Sequence, residues 1–145
     1  MTSSPTSLVD AVTRSFAQQG LMQAMGARLA TVEAGHVAIT VPFSERVSQQ
    51  HGLFHGAIIG ALGDTAGGYA ALTRMPAESE VVTVEYKVNF MRPAKGRELI
   101  ADGTVLRSGK SITVCRVDVH VADDAGNRTL VAVLQGTFMR VAAHA

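Results

Sequence analysis

The chain has a single cysteine, no tryptophan, only four prolines, and aromatic residues at 5% of its 145 positions. A lone thiol, Cys115, excludes an internal disulfide and any metal site made of cysteines alone, and it fits a reducing compartment. Charge is also scarce. Charged residues make up 17%, below the roughly one quarter usual in soluble domains, which suggests that other subunits cover part of the surface. Thirteen basic and twelve acidic residues leave a formal charge of +1 with no long basic run, so a nucleic-acid partner is not expected. The nucleophile elbow G-x-S-x-G of a Ser-His-Asp hydrolase is missing. The five histidines show neither metal-ligand spacing nor an acidic partner, so no metal and no cofactor are expected. Residues 1–7, MTSSPTS, lack the positive region and apolar core of a signal peptide; they read as a loose arm and make a cytoplasmic location the expectation. The length suits one domain, 1–145, able to bury a core without covalent staples.

The most informative segment that is present runs from Gln49 to Ala71, QQHGLFHGAIIGALGDTAGGYAA. No proline follows Gly56 until Pro76, so a helix from about Gly56 to Arg74 is expected. Asp64 interrupts the apolar run. A buried carboxylate is costly to desolvate without a partner, a proton or a ligand, so its presence asks for a specific reason. The first N–H groups of a helix lack intrahelical acceptors and sit at the positive end of the dipole, and Gly56 has no side chain to block an approaching oxygen. Gly56 and Gly60 form a G-x-x-x-G pair, but Asp64 at mid-depth and the lack of anchoring flanks argue for a core helix and against a membrane span.

Elsewhere the patterns give a consistent order. Leu8, Val9, Val12, Phe16 and Leu21 suggest an amphipathic N-terminal helix. Ala27 to Glu33 and His36 to Val41 flank the Ala34-Gly35 turn as a hairpin ended by Pro42. Four strand-like runs follow the central helix, Val81 to Met91, Glu98 to Leu106, Ser111 to Val121 and Thr129 to Val141, and their short connections suggest a meander. In the third run Thr113, Cys115, Val117, Val119 and Val121 share the core face. The fold class is therefore α+β: a long central helix wrapped by a curved antiparallel sheet of about six strands, with an additional N-terminal helix.

Residues from Val32 to Arg140 carry a resemblance. With His55-Gly56 at the helix start, Asp64 nine residues after that histidine, and the later VNFMRPAK, the chain resembles the hotdog-fold acyl-CoA thioesterases of the phenylacetate-degradation (PaaI-like) type. Gly52, His55, Gly56, Leu62 and Asp64 fall in register with that family's pattern, whereas Gln49 stands where many members have Asn and Ala57 replaces a second Gly. The resemblance implies hydrolysis of acyl-CoA to a carboxylic acid and CoA, without a cofactor. It implies Asp64 as nucleophile or general base and the Gly56 N–H as oxyanion donor. Gln49 would hold water or the carbonyl through its amide. His55 either bears on the thioester or CoA or shapes the loop, and Thr83 is either a water-orienting hydroxyl or an ordinary strand threonine. Arg92, Lys95, Arg97, Arg107 and Lys110 lie in turn segments and are candidates for the CoA phosphates.

One consequence is independent of family. Eight residues separate Gly56 from Asp64, about 12 Å along a helix, too far to share one carbonyl. If both serve one site, Asp64 meets the Gly56 of another subunit. A twofold axis near Gly60 would achieve this, with Gly60, Gly63 and Gly67 letting two helices approach. A homodimer is expected, and the resemblance implies a homotetramer built as a dimer of dimers. Two rivals were weighed. A hotdog hydratase or dehydratase typically needs a Glu beside a His in a Pro-rich loop, which is missing; a non-enzymatic acyl-CoA sensor usually brings a DNA-binding module, for which there is no room.

Overall fold

The computed structural model describes residues 7–143. Two short helices, α1 (Leu8–Phe16) and α2 (Gly20–Met25), precede a hairpin of β1 (Arg28–Glu33) and β2 (His36–Pro42). The loop after β2 leads into the long helix α3 (Gly56–Leu72), and four strands follow: β3 (Ser79–Phe90), β4 (Glu98–Ser108), β5 (Ile112–Ala122) and β6 (Arg128–Ala142). All strand pairs are antiparallel. The first six residues of the expected arm lie outside the described residues. Ser7, the seventh, caps α1 by accepting a hydrogen bond from the Asp10 N–H, and the single N-terminal helix expected from the pattern is two, separated at residues 17–19.

The sheet order is β1-β2-β4-β5-β6-β3, which corrects the meander. Strands β4, β5 and β6 do follow one another, but β3 sits at the far edge beside β6. Crossing from β3 to β4 spans three strand spacings, about 14 Å, which residues 91–97 can cover at roughly 3.3 Å each. On the way the Met91 N–H reaches the Val131 carbonyl and the Arg97 N–H the Ala122 carbonyl, so the segment spends its donors on the strands it passes. A short connection thus looked like a hairpin while acting as a bridge.

Helix α3 contains five glycines, each costing about 1 kcal/mol relative to alanine, so packing must hold it in place. It lies across the sheet, its Leu62, Ala66 and Ala70 sharing one buried core with Leu99, Val117, Leu134 and Phe138 of the strands. The approach is close enough that a Cβ on Gly103 of β4 would stand 2.6 Å from the Ala66 carbonyl oxygen. The expected core face of β5 is the buried one. At the C-terminal end of α3, Thr73 Oγ1 donates to the Ala70 carbonyl and accepts from the Gly35 N–H, pinning the helix to the β1–β2 turn. Among the described residues no helix is long and apolar enough to cross a membrane.

Candidate active site

The loop before α3 is fixed by its own backbone. Gln49 N–H donates to the Leu53 carbonyl, His55 N–H to Val47, and Phe54 N–H to Ala94 of the β3–β4 segment. Phe54 is buried with its ring edge-on to Phe43. These bonds deliver His55 to the N-cap of α3, where Nδ1 accepts from the Ala57 N–H at 2.9 Å. The ring at the N-cap is therefore the Nε2–H tautomer when neutral. The His55 carbonyl takes the Ile58 and Ile59 N–H groups. Of the first four donors of the helix, only the Gly56 N–H has no acceptor among the described residues. His55 thus shapes the loop, one of its two expected roles. Gln49 does likewise, since its Oε1 accepts from the His51 and Leu53 N–H groups, and its Nε2 is the end a water or carbonyl could meet.

Asp64 is half-buried, not buried within an apolar run as the sequence suggested. The helix turns it onto the side away from the core, where Thr83 Oγ1 of β3 donates to its Oδ1 at 2.7 Å. Thr83 consequently spends its proton on the carboxylate instead of on a water. Two more contacts and one shared cavity wall line up along this stripe. The Phe90 ring lies 3.3 Å from where a Cβ of Gly56 would be, the Tyr86 hydroxyl 3.1 Å from that of Gly60, and Val81 borders a cavity with Gly68. The helix residues recur every four positions, so one ridge of α3 meets the inward side chains of β3.

The glycines therefore differ from the expectation that they admit a second helix. A Cβ on Gly63 would stand 2.9 Å from Leu134 Cδ1, and one on Gly67 would stand 2.8 Å from Phe138 Cζ. Both face the chain's own sheet, and Gly60 faces Tyr86, because large β3 and β6 side chains need room beneath the helix.

Strand β3 has one unpaired edge and exposes Val82, Val84, Tyr86 and Phe90, with Met91 just beyond it. Next to it α3 presents Ala57, Ile58 and Ala61, none of them fully buried. Long apolar edge strands without cover invite pairing with another chain. Asp64 and Gly56 lie on this same surface.

The five candidate basic residues do not form one cluster in the chain. Arg92, Lys95 and Arg97 flank the Gly56 end of α3, with Arg92 Nη1 donating to the Leu130 carbonyl. By strand register Arg107 and Lys110 lie at the opposite end of the sheet. His36 pairs with Asp102 at 3.1 Å, and His51 is an exposed loop residue. Among the described residues no three His, Cys, Asp or Glu side chains gather as a metal site. Cys115 is fully buried, and burial pushes its thiol up to about 12, which makes it an inert core residue.

Beside Asp64 and Thr83 opens a cavity of about 240 Å³ that continues toward Tyr69, where Ser15 and Gln19 also line it. Sequence reasoning passed over these three residues. The only signal for Ser15 and Gln19 was polarity near the end of the N-terminal helix, which a solvated helix end would show equally, and Tyr69 reads as one more core residue of the central helix.

Residues 51–127 match the family model described as the thioesterase superfamily. A Halobacterium salinarum protein named "Putative esterase" is 32% identical over 126 residues, covering 82% of this chain and 83% of that relative. A medium/long-chain acyl-CoA thioesterase of Salmonella typhimurium is 30% identical over 84 residues, 49% of this chain and 54% of that one. Among solved structures, a thioesterase family protein from Silicibacter pomeroyi superposes with a TM-score of 0.91 at 34% identity, over 94% of this chain and all of that one. The PaaI protein of the E. coli phenylacetic acid degradation operon shares the fold with a TM-score of 0.81 at 20% identity, over 94% of each chain.

Proposed function

Because the chain belongs to the thioesterase superfamily and has its hotdog fold, we propose that it hydrolyses acyl-CoA thioesters to a carboxylic acid and free CoA at a site shared between two copies of the chain. The observation that carries this reading is the sorting of donors at the start of α3, which leaves the Gly56 N–H alone without an acceptor, on the same open surface as the Asp64 carboxylate. A helix N-terminus adds its dipole to that donor, which suits an oxygen that gains negative charge in the transition state.

Asp64 either draws a proton from water as the water oxygen bonds to the thioester carbon, or bonds to that carbon itself to give an anhydride that water then opens. In both cases the C–S bond breaks and CoA leaves as a thiolate, weakly basic with a thiol pKa near 8.5. Thr83 holds the carboxylate in place, and Gln49 Nε2 is positioned to orient water or the carbonyl. Within one chain Gly56 and Asp64 stand about 12 Å apart along α3, so Asp64 would serve the Gly56 of the partner copy. The exposed apolar edge of β3 supplies the surface for that pairing, and two such dimers would make the tetramer. Arg92, Lys95 and Arg97 flank the Gly56 end and are the first choice for the CoA phosphates, with Arg107 and Lys110 reaching a site only from its other side.

Thiol release measured with a panel of acyl-CoAs tests the activity, and acyl-CoA binding without release would favour a sensor. Subunit mixing tests the sharing. Asp64→Ala and Gln49→Ala proteins are each expected to be impaired, and some mixed dimers regain one intact site. No recovery after confirmed subunit exchange would refute a shared site.

A further inference from the structure

The cavity beside Asp64 is bounded by polar groups where an acyl pocket would ordinarily be greasy; its apolar lining is limited to Gly68, Leu72 and Val81. It runs from Asp64 to Leu72 on α3, about 12 Å, and at about 30 Å³ per water-sized unit it holds roughly eight non-hydrogen atoms. At its far end Tyr69 of α3 is joined by Ser15 and Gln19, which come from outside the central helix and the sheet. Gln19 Nε2 donates to the Tyr69 hydroxyl at 3.0 Å, and Ser15 Oγ stands 2.9 Å from the same oxygen. Phe16 packs edge-on against the Tyr69 ring, so α1 holds this wall by stacking as well as by hydrogen bonds.

Counting protons shows what the wall offers. The Tyr69 oxygen accepts from Gln19 and shares one hydrogen bond with Ser15 Oγ, in which either oxygen can be the donor. That leaves Gln19 Oε1 and the Glu80 carboxylate as acceptors, and the Ser15 hydroxyl with either a proton to give or a lone pair to accept. A terminal hydroxyl matches both kinds of group. A terminal methyl would strip water from them and return nothing.

We propose that Ser15, Gln19 and Tyr69 form a specificity wall that selects acyl groups of up to about eight non-hydrogen atoms ending in a hydroxyl. The inference rests on the reading of Asp64 as the hydrolytic carboxylate and extends it to the acyl group. Helix α1 and the residue that precedes α2 then act as part of the substrate site, not as a decoration on the fold.

Matched thioesters test it: hexanoyl-CoA against 6-hydroxyhexanoyl-CoA, with hexadecanoyl-CoA as a length control, scored by thiol release. The hydroxylated substrate is expected to have the higher kcat/KM by about tenfold, as one satisfied hydrogen bond predicts, mostly through KM. Hexadecanoyl-CoA should be the poorest of the three. Gln19→Leu should bring the ratio of the matched pair close to one while hexanoyl-CoA is still turned over, and Ser15→Ala should shift it the same way should Gln19→Leu fold poorly. Equal kcat/KM for the pair, or a preference unchanged in both variants, overturns the wall while leaving the hydrolase reading in place. No thiol release from any acyl-CoA sinks that reading and this one together.

Discussion

The two sides of α3 are made of nearly the same small apolar residues, yet they have opposite fates. One side, with Leu62, Gly63, Ala66, Gly67 and Ala70, is buried against the sheet so tightly that methyl groups at two of its glycines would collide with Leu134 and Phe138. The other, with Ala57, Ala61, Asp64 and Thr65, is left partly open and continues into the exposed apolar edge of β3. A helix apolar all round belongs in an interior, so the open side points to a second layer that a single chain does not supply. The difference teaches that the carboxylate sits on the side left open and not on the side committed to folding.

The strongest way to break that comparison is at Asp64. Asp64→Ala should lower kcat by about 10²- to 10⁴-fold, the usual span for a lost acid–base group, with a circular dichroism spectrum and Tm like the parent's. A fall in Tm matching the loss of rate would make Asp64 structural instead. Next comes the open edge: Val84→Lys places a charge on an exposed apolar position of β3 and should convert the assembly to monomers in sedimentation experiments, with activity falling as dimers disappear. Full activity in a monomeric fraction would contradict the shared site.

Thr83→Val removes the hydroxyl that holds Asp64. A hydrogen bond to a charged group contributes about 1.5–3 kcal/mol, so a drop of about tenfold or more in kcat is expected, and Thr83→Ser should recover most of it. On the folding side, Gly67→Ala would press on Phe138, which is fully buried and cannot give, and should cost about 1–3 kcal/mol in urea unfolding. Gly60→Ala meets only the hydroxyl end of the half-exposed Tyr86 and gains helix propensity, so it should stay within about 1 kcal/mol of the parent. Equal costs for the two would erase the distinction between the faces. The effect at the cap is comparably small: His55→Ala should destabilise by about 1 kcal/mol, seen as a shift of a few degrees in Tm.

Much of this architecture was readable from local chemistry. The bounds of α3 follow from the apolar and glycine run that begins at Gly56 and from the absence of proline before Pro76, and the core face of β5 follows from its alternation. The β3–β4 bridge was misread because a seven-residue link is equally compatible with a loose hairpin and with a crossing, and only the acceptors it finds on β5 and β6 distinguish them. Thr83 could be noticed in the sequence but not assigned, since a strand threonine looks alike whether its proton goes to water or to Asp64. Ser15, Gln19 and Tyr69 went unrecognised because their meeting depends on α1 folding back over α3, a contact between residues 50 and 54 positions apart.

By itself the sequence determined the α+β class, the helix that starts at Gly56, and the separation of about 12 Å along that helix that keeps Gly56 and Asp64 of one chain from meeting at one carbonyl, because helix rise is fixed by backbone geometry. Only the tertiary structure decided which face of that helix is buried. Its residues are apolar in every direction, so no pattern in the chain selects a side; the large side chains of β6 do, by filling the space its glycines leave.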